Sequence, residues 1–326
     1  PSALRSANHS SGLTPCLRSY NACGVVSLNI RIGTCGWSYP SDTGTWNGVF
    51  YPSKGRGRRP AGFDELAYYA ERFDTVEINT TFYGVPRPEV TAAWARRTPD
   101  EFEFSLKLYK KFTHPEMFKA AARTSDATVQ RADVDGFRTA IDPIVSAGKL
   151  GVLLAQFPPS FKNQAASRDY LDWLLGALPD CPVAVELRHR SWSDDVRSTL
   201  TLLNELGAAW MQIDEPKFRF SIAQNYLPNV NSFYYMRLHG RNADKWWHHD
   251  RAEERYDYLY SGAELKPFAE TADAASQLVK KLYLYLNNHF AAKAVANAAV
   301  LKHQLGMAVP GTYPPEMVAR HPELDG

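Results

Sequence analysis

GVLLAQFPPSFKNQAASRDYLDWLLGALPDCPVAVELRHRSW, residues 151–192, contains one complete strand–helix–strand unit. Gly151–Phe157 and Val183–Leu187 are short apolar runs without the polar alternation of a half-exposed strand, as expected for strands covered on both faces. Between them, Ser167–Leu178 repeats Tyr170, Leu171, Leu174 and Leu175 on one helical stripe, with Ser167 as the expected N-cap. Two buried strands joined by a helix make a parallel pair with a crossover.

The same rhythm extends in both directions. Ile30–Cys35, Thr75–Ile78 and Phe102–Leu108 precede this unit, and Ala208–Ile213, Phe233–Leu238 and Lys281–Leu286 follow it, about eight runs in all. Further helices are expected at Phe63–Phe73, Asp135–Ala147, Ser193–Leu206 (capped by Ser193 and ended by Gly207) and Ala291–Leu305. The expected fold class is therefore α/β, a single-domain (β/α)₈ TIM-like barrel of parallel strands. Its core domain spans 30–306, after an irregular N-terminal extension (1–29) and before a Pro-rich C-terminal tail (307–326). A barrel of this kind needs about 250 residues, and the chain has 326. Two long loops, Ser38–Gly62 and Arg241–Ser261, follow strand ends and have the length of lids or binding loops.

Composition narrows the function classes. Hydrophobic residues are 44% and charged residues 22%, values that support a large core. The 37 Lys and Arg against 35 Asp and Glu give a net charge of +2. That balance disfavours a protein driven mainly by phosphate-backbone attraction. Cys16, Cys23, Cys35 and Cys181 form neither a CxxC pair nor a zinc-finger spacing, so a reduced, cytoplasmic setting is expected. No apolar run reaches the about 18 residues that a membrane span requires. Residues 1–27 hold Arg5, Arg18, several Ser and no acid, the composition of a transit peptide; an upstream extension is the plainer reading.

The ends of the apolar runs carry the candidate chemistry. In chain order they present Trp37 and Tyr39; Glu77 and Asn79; Lys107; Gln156; Glu186, Arg188 and His189; Asp214; Arg237 and His239; and Asn287, Asn288 and His289. In a parallel barrel all C-terminal strand ends meet on one face, where such sites are built. Because side chains alternate, Glu77 shares a direction with Asn79, Glu186 with Arg188, Arg237 with His239 and Asn287 with His289. Polar residues at strand ends are ordinary. A Glu inside TVEIN, a Lys inside FSLKL and an Arg inside YMRLH are not, because a charge there must be paired or face a solvated cavity.

Several chemistries fit this crown. Glu77 and Glu186 are the two carboxylates a glycosidase would need. Lys107 is a Schiff-base nucleophile, a proton shuttle or a buried ion-pair partner. His239 and His289 are proton-transfer groups, and with the carboxylates they are residue types of a divalent-metal site, although no HxxxH or HxH spacing supports one. Arg188, Arg237 and Lys107 suit a phosphate or carboxylate. The basic run Lys54, Arg56, Arg58 and Arg59 reads as a solvated turn. No phosphate-binding Gly-rich loop, GxSxG elbow or kinase signature is present.

RIGTCGWSY (31–39), TVEINTTFY (75–83), QFPPSF (156–161), VELRHRSW (185–192), MRLHGR (236–241) and NNH (287–289) together resemble the YecE-like family, the domain of unknown function 72. The resemblance runs from about 30 to 305. It implies a TIM barrel, similar in architecture to the endonuclease IV and xylose-isomerase-like barrels, and implies no established reaction. Cys35 stands where the family usually has Ser, and Ala291 where Gly is common nearby. The leading functional expectation is an enzyme of hydrolytic or acid–base chemistry on a phosphorylated or carbohydrate-like small molecule. Glu77, Lys107, Glu186, His239 and His289 are its catalytic candidates. Trp37, Tyr39, Asn79, Gln156, Arg188, His189, Asp214, Arg237, Asn287 and Asn288 are its substrate-binding candidates. Nucleic-acid binding or processing, and a non-catalytic small-anion sensor or scaffold, are the alternatives.

Overall fold

The computed structural model describes residues 29–41, 43–53, 59–223, 227–321 and 324. Among these described residues nine strands are formed: β1 (Ile30–Cys35), β2 (Thr75–Ile78), β3 (Glu103–Lys107), β4 (Leu150–Gln156), β5 (Val183–Glu186), β6 (Ala209–Trp210), β7 (Gln212–Asp214), β8 (Phe233–Leu238) and β9 (Lys281–Leu286). They lie in the order β6-β5-β4-β3-β2-β1-β9-β8-β7, and every pairing is parallel. The two end strands are consecutive pieces of one run, interrupted at Met211. Its first half pairs with β5 and its second with β8. The nine strands are thus the eight expected runs, and the sheet comes round almost to closure as a TIM-like barrel in a single domain.

The helices are α1 (Glu65–Ala70), α2 (Thr80–Tyr83), α3 (Pro88–Arg96), α4 (Lys110–Thr113), α5 (Pro115–Ala122), α6 (Arg131–Ser146), α7 (Ala165–Gly176), α8 (Ser191–Asp194), α9 (Val196–Glu205), α10 (Asp244–Trp247), α11 (Gly262–Ser276), α12 (Lys293–Gln304) and α13 (Pro315–Arg320). Two local expectations fail. Ser167 lies buried inside α7, which starts from Gln164. Ser193 lies inside α8, and the longer helix α9 is capped by Asp195, whose side chain accepts from Ser198 N. In the Pro-rich tail, α13 buries Met317 completely, and Thr312 O accepts from the Arg72 guanidinium at 3.1 Å. Gly207 does end its helix with φ +63°, a conformation glycine adopts without a Cβ penalty.

The barrel interior is layered and polar. At the N-terminal end Glu103 pairs with Arg31 (2.9 Å) and accepts from Tyr283 (2.7 Å). One layer up, the Tyr285 hydroxyl meets Thr75 (2.6 Å) and Ser105 (3.0 Å). The third layer, Tyr235, Glu77, Arg237 and Glu186, is the floor of the site. Alternation along KLYLYL and FYYMRL sends every second side chain inward. Gly33 makes room beside β2, where a Cβ would come within 2.3 Å of Thr75 O. Among the described residues no helix is long and apolar enough to cross a membrane.

Candidate functional site

A cavity of about 630 Å³ opens at the C-terminal ends of the strands. Trp37 and Tyr39 reach it from beyond β1, Asn79 from just beyond β2, Lys107 from β3 and Gln156 from β4. Arg188 comes from beyond β5, Arg237 from β8, His239 from just beyond it, and Asn287 and His289 from beyond β9. Strand polarity brings together positions spread over more than 250 residues of chain.

Arg237 is the keystone of the floor. Its side chain is buried, and its two terminal nitrogens donate in opposite directions. One reaches Glu77 Oε1 at 2.8 Å; the other reaches Glu186 Oε2 at 2.7 Å and Gln156 Oε1 at 2.9 Å. Tyr235 donates to the second oxygen of Glu77 at 2.7 Å. Arg188 clamps Glu186 Oε1 with two nitrogens, at 2.6 and 2.5 Å, and also meets Glu215 at 3.3 Å. Burial pushes the Glu186 carboxyl up, but the guanidinium charges of Arg188 and Arg237 outweigh it and hold it well below the usual carboxylate range.

Glu77 and Glu186 are fully buried under the floor and do not line the cavity. Their oxygens face guanidinium and phenol groups. The paired-carboxylate chemistry expected of them therefore does not match the geometry; they hold Arg237 and Arg188 in place. The divalent-metal expectation meets the same obstacle. Among the described residues no three His, Cys, Asp or Glu side chains come together as a ligand set.

His239 and His289 each keep Nε2 free, in opposite roles. Asn287 Nδ2 donates to His239 Nδ1 at 2.8 Å, which puts the ring proton on Nε2. That Nε2 lies 3.9 Å from Glu186 Oε1 and has no hydrogen-bond partner among the described residues. His289 Nδ1 lies 3.1 Å from the Asn287 carbonyl, which can only accept, so its free Nε2 is an acceptor. Burial and the Arg237 charge lower the His239 pKa well below the ordinary histidine value. Burial lowers that of His289 to about 4, against the opposing pull of the Asn287 carbonyl. Both rings are neutral at pH 7. His289 is sandwiched between Tyr39, stacked at 4.3 Å, and Tyr256 at 4.9 Å.

Lys107 Nζ sits 3.9 Å from the centre of the Phe82 ring. It forms no ion pair or hydrogen bond among the described residues. Burial lowers its pKa to about 7, with the charges of Arg237 and Arg188 acting in the same direction and Glu186 against them.

Three crown candidates are turned elsewhere. Asp214 accepts from Arg241 (2.8 and 3.0 Å) and Tyr260 (2.7 Å), outside the cavity. Asn288 is buried and binds Tyr258 O (2.8 Å) and Asn297 Oδ1 (2.7 Å). His189 pairs with Ser191 at 2.9 Å in the β5–α8 connection. His189 and Asn288 each neighbour a residue that points into the cavity, so strand alternation explains their exclusion. Of the basic run, residues 54–58 lie outside the described residues, and Arg59 pairs with Glu65 at 2.7 Å.

The family model described as "Protein of unknown function DUF72" matches residues 31–321. The chain belongs to the DUF72 family. UPF0759 protein YunF of Bacillus subtilis is 26% identical over 299 residues, covering 88% of this chain and 99% of YunF. UPF0759 protein YecE of Escherichia coli strain K12 is 34% identical over 130 residues, 39% of this chain and 43% of YecE. A solved DUF72 protein from Thermotoga maritima has a TM-score of 0.71 and 32% identity, covering 85% of this chain and 99% of that one. One from Enterococcus faecalis has a TM-score of 0.72 and 23% identity, covering 87% and 99%.

Some of the walls of this DUF72 cavity escape sequence reasoning. His114, between α4 and α5, lines it with a pKa lowered to about 3 by burial and by the charges of Lys107 and Arg188. Phe82 and Tyr83 arrive on α2, directly after Asn79. The loop 241–261 supplies Trp246, Trp247 and Tyr256, as its length and aromatic content allow. His114 follows no apolar run, so the strand-end rule passes over it.

Proposed function

We infer that this protein is an enzyme that performs acid–base chemistry on a small anionic molecule, phosphorylated or carboxylated, inside the crown cavity. The observation that carries this reading is Lys107: an amine on the wall of a cavity that Arg188, His239 and His289 also line, with no anion paired to it among the described residues. An unpaired cation in a low-dielectric site is costly unless it is neutral or meets an incoming anion. In either state it is useful, as a base or as an anion-holding group. His239 offers an Nε2–H donor and His289 an Nε2 acceptor, the two complementary roles of proton transfer. The aromatic walls and a volume of about 630 Å³ suit a sugar-sized ligand. The acid–base candidates are Lys107, His239 and His289, with Arg188, Gln156 and Asn79 placed to orient the substrate.

The test has two stages. A thermal-shift panel of sugar phosphates, sugar acids and small carboxylates, with neutral sugars as controls, should give stabilisation by anionic members only. The stabilising compounds are then followed for turnover by mass spectrometry. Lys107→Met and His239→Gln should abolish turnover while melting cooperatively. Stabilisation by neutral compounds alone, or turnover surviving in both variants, overturns the assignment. Stabilisation with no product from any stabilising compound favours the anion-sensor alternative.

A further inference from the structure

Other lysines buried by this fold receive acceptors. Lys149 Nζ donates to the carbonyls of Ala95 (2.7 Å) and Thr98 (2.8 Å), and Lys302 Nζ to the carbonyl of Arg72 (3.2 Å). Lys107 Nζ faces the Phe82 ring and open cavity instead. The acids nearest in the barrel, Glu77 and Glu186, are already held by Arg237, Arg188 and Tyr235. An amine kept away from carboxylates, near guanidinium groups and against an aromatic face, is set up as a nucleophile rather than as an ion-pair partner.

We propose that Lys107 forms an imine with its substrate, an aldehyde or ketone that also carries a phosphate or carboxylate group. This rests on the cavity being an anion-binding reaction chamber, and it adds the substrate's second functional group. The Lys107 lone pair attacks the carbonyl carbon, the C–N bond forms, and the π pair of the carbonyl moves to oxygen. One Nζ proton passes to that oxygen, giving a carbinolamine. The hydroxyl then leaves with the second Nζ proton as water, so amine plus carbonyl gives imine plus water and no oxidant is needed. His239 Nε2–H stabilises the developing negative oxygen by a hydrogen bond and keeps its proton, and His289 Nε2 takes the Nζ proton and passes it on to that oxygen. Once protonated, the imine draws electrons from the adjacent carbon, whose C–H proton a neutral imidazole can remove. Arg188 holds the anionic end. Burial supports the first step, because a lysine with a pKa of about 7 is half unprotonated at neutral pH.

Pyridoxal 5′-phosphate is the probe, an aldehyde bearing a phosphate, with pyridoxal as its phosphate-free counterpart. The full chain is incubated with each at pH 7, reduced with sodium borohydride and mapped by peptide mass spectrometry. The expected result is one dominant reduced adduct on Lys107, exceeding those on the solvent-exposed Lys266 and Lys280 by about tenfold or more. Labelling should rise with pH through about 7, and inorganic phosphate should suppress it. Lys107→Arg, which keeps a cation but cannot form an imine, should lose the adduct without a lower Tm. Adducts spread evenly over surface lysines, equal in the wild type and Lys107→Arg, overturn the imine. If inorganic phosphate still raises the Tm in that case, the anion-binding cavity stands alone; if it does not, both readings fall. Equal labelling of Lys107 by pyridoxal and its phosphate overturns the anionic half of the substrate class.

Discussion

Arg237 shows how one residue determines the character of the site. A guanidinium with about 1% of its surface exposed is held there by Glu77, Glu186 and Gln156, which accept from its two terminal nitrogens. Removing one partner of such a pair costs about 3–5 kcal/mol, since the remaining charge stays buried. Glu186→Gln should therefore lower the unfolding free energy by about that amount in urea titrations. A change below about 1 kcal/mol would mean that Arg188 and Arg237 find other partners. Lys107 makes the opposite prediction. The unfolded chain keeps this proton up to about pH 10, whereas the folded protein releases it near 7. Between those values the unfolded state binds the extra proton, so stability from this group rises with pH from about 7 to about 10. The slope of Tm against pH in that window should be shallower in Lys107→Met than in the wild type, and identical slopes would contradict the lowered pKa.

At the scale of the element, the turn after β9 carries a strain that the sequence hints at. Ala291 and Ala292 have φ of +50° and +61°, the left-handed region where an L side chain crowds its own backbone. The family resemblance expects glycine nearby, and the geometry gives the reason. This turn begins immediately after His289 and accepts the cost to place that ring between Tyr39 and Tyr256. Ala291→Gly should raise stability by up to about 1 kcal/mol, measured by thermal or chemical denaturation, because relief of the left-handed crowding exceeds the entropy lost by glycine. A destabilisation of that size would show that chain entropy dominates. Helix limits elsewhere were only partly legible. The apolar stripes of α6 and α7 and the Ala-rich composition of α12 are evident in the sequence, but Ser167 and Ser193 attract a capping assignment that the chain gives to Gln164 and Asp195. Ser is a good cap by propensity, and the neighbouring connection decides whether the helix starts there.

For the whole molecule, the described part of the tail, through residue 321, packs on the fold. Met317 is completely buried and packs into the hydrophobic core, and the carbonyl of Thr312 satisfies Arg72. Met317→Ala should cost about 2–5 kcal/mol, as for a buried Met in a filled core, read as a lower midpoint in urea with an unchanged slope. A cost near zero would mean that the tail merely rests on the surface.

Sequence alone determined the barrel, because eight doubly buried strands with helical crossovers leave few other ways to cover both faces of a sheet. It also determined the face on which the polar strand ends converge, since strand polarity is common to all of them. It could not decide which of those residues meet the cavity. Glu77, Glu186, Lys107 and Arg237 are all charged residues at inward positions, and they look equivalent along the chain. Only the closed barrel separates them, by bringing Arg237 from β8 between Glu77 of β2 and Glu186 of β5. That arrangement seals both carboxylates beneath the floor and leaves Lys107 on the wall without an ion-pair partner among the described residues. Electrostatic pairing acts over a few ångströms, so which charges pair depends on distances that only the tertiary structure sets.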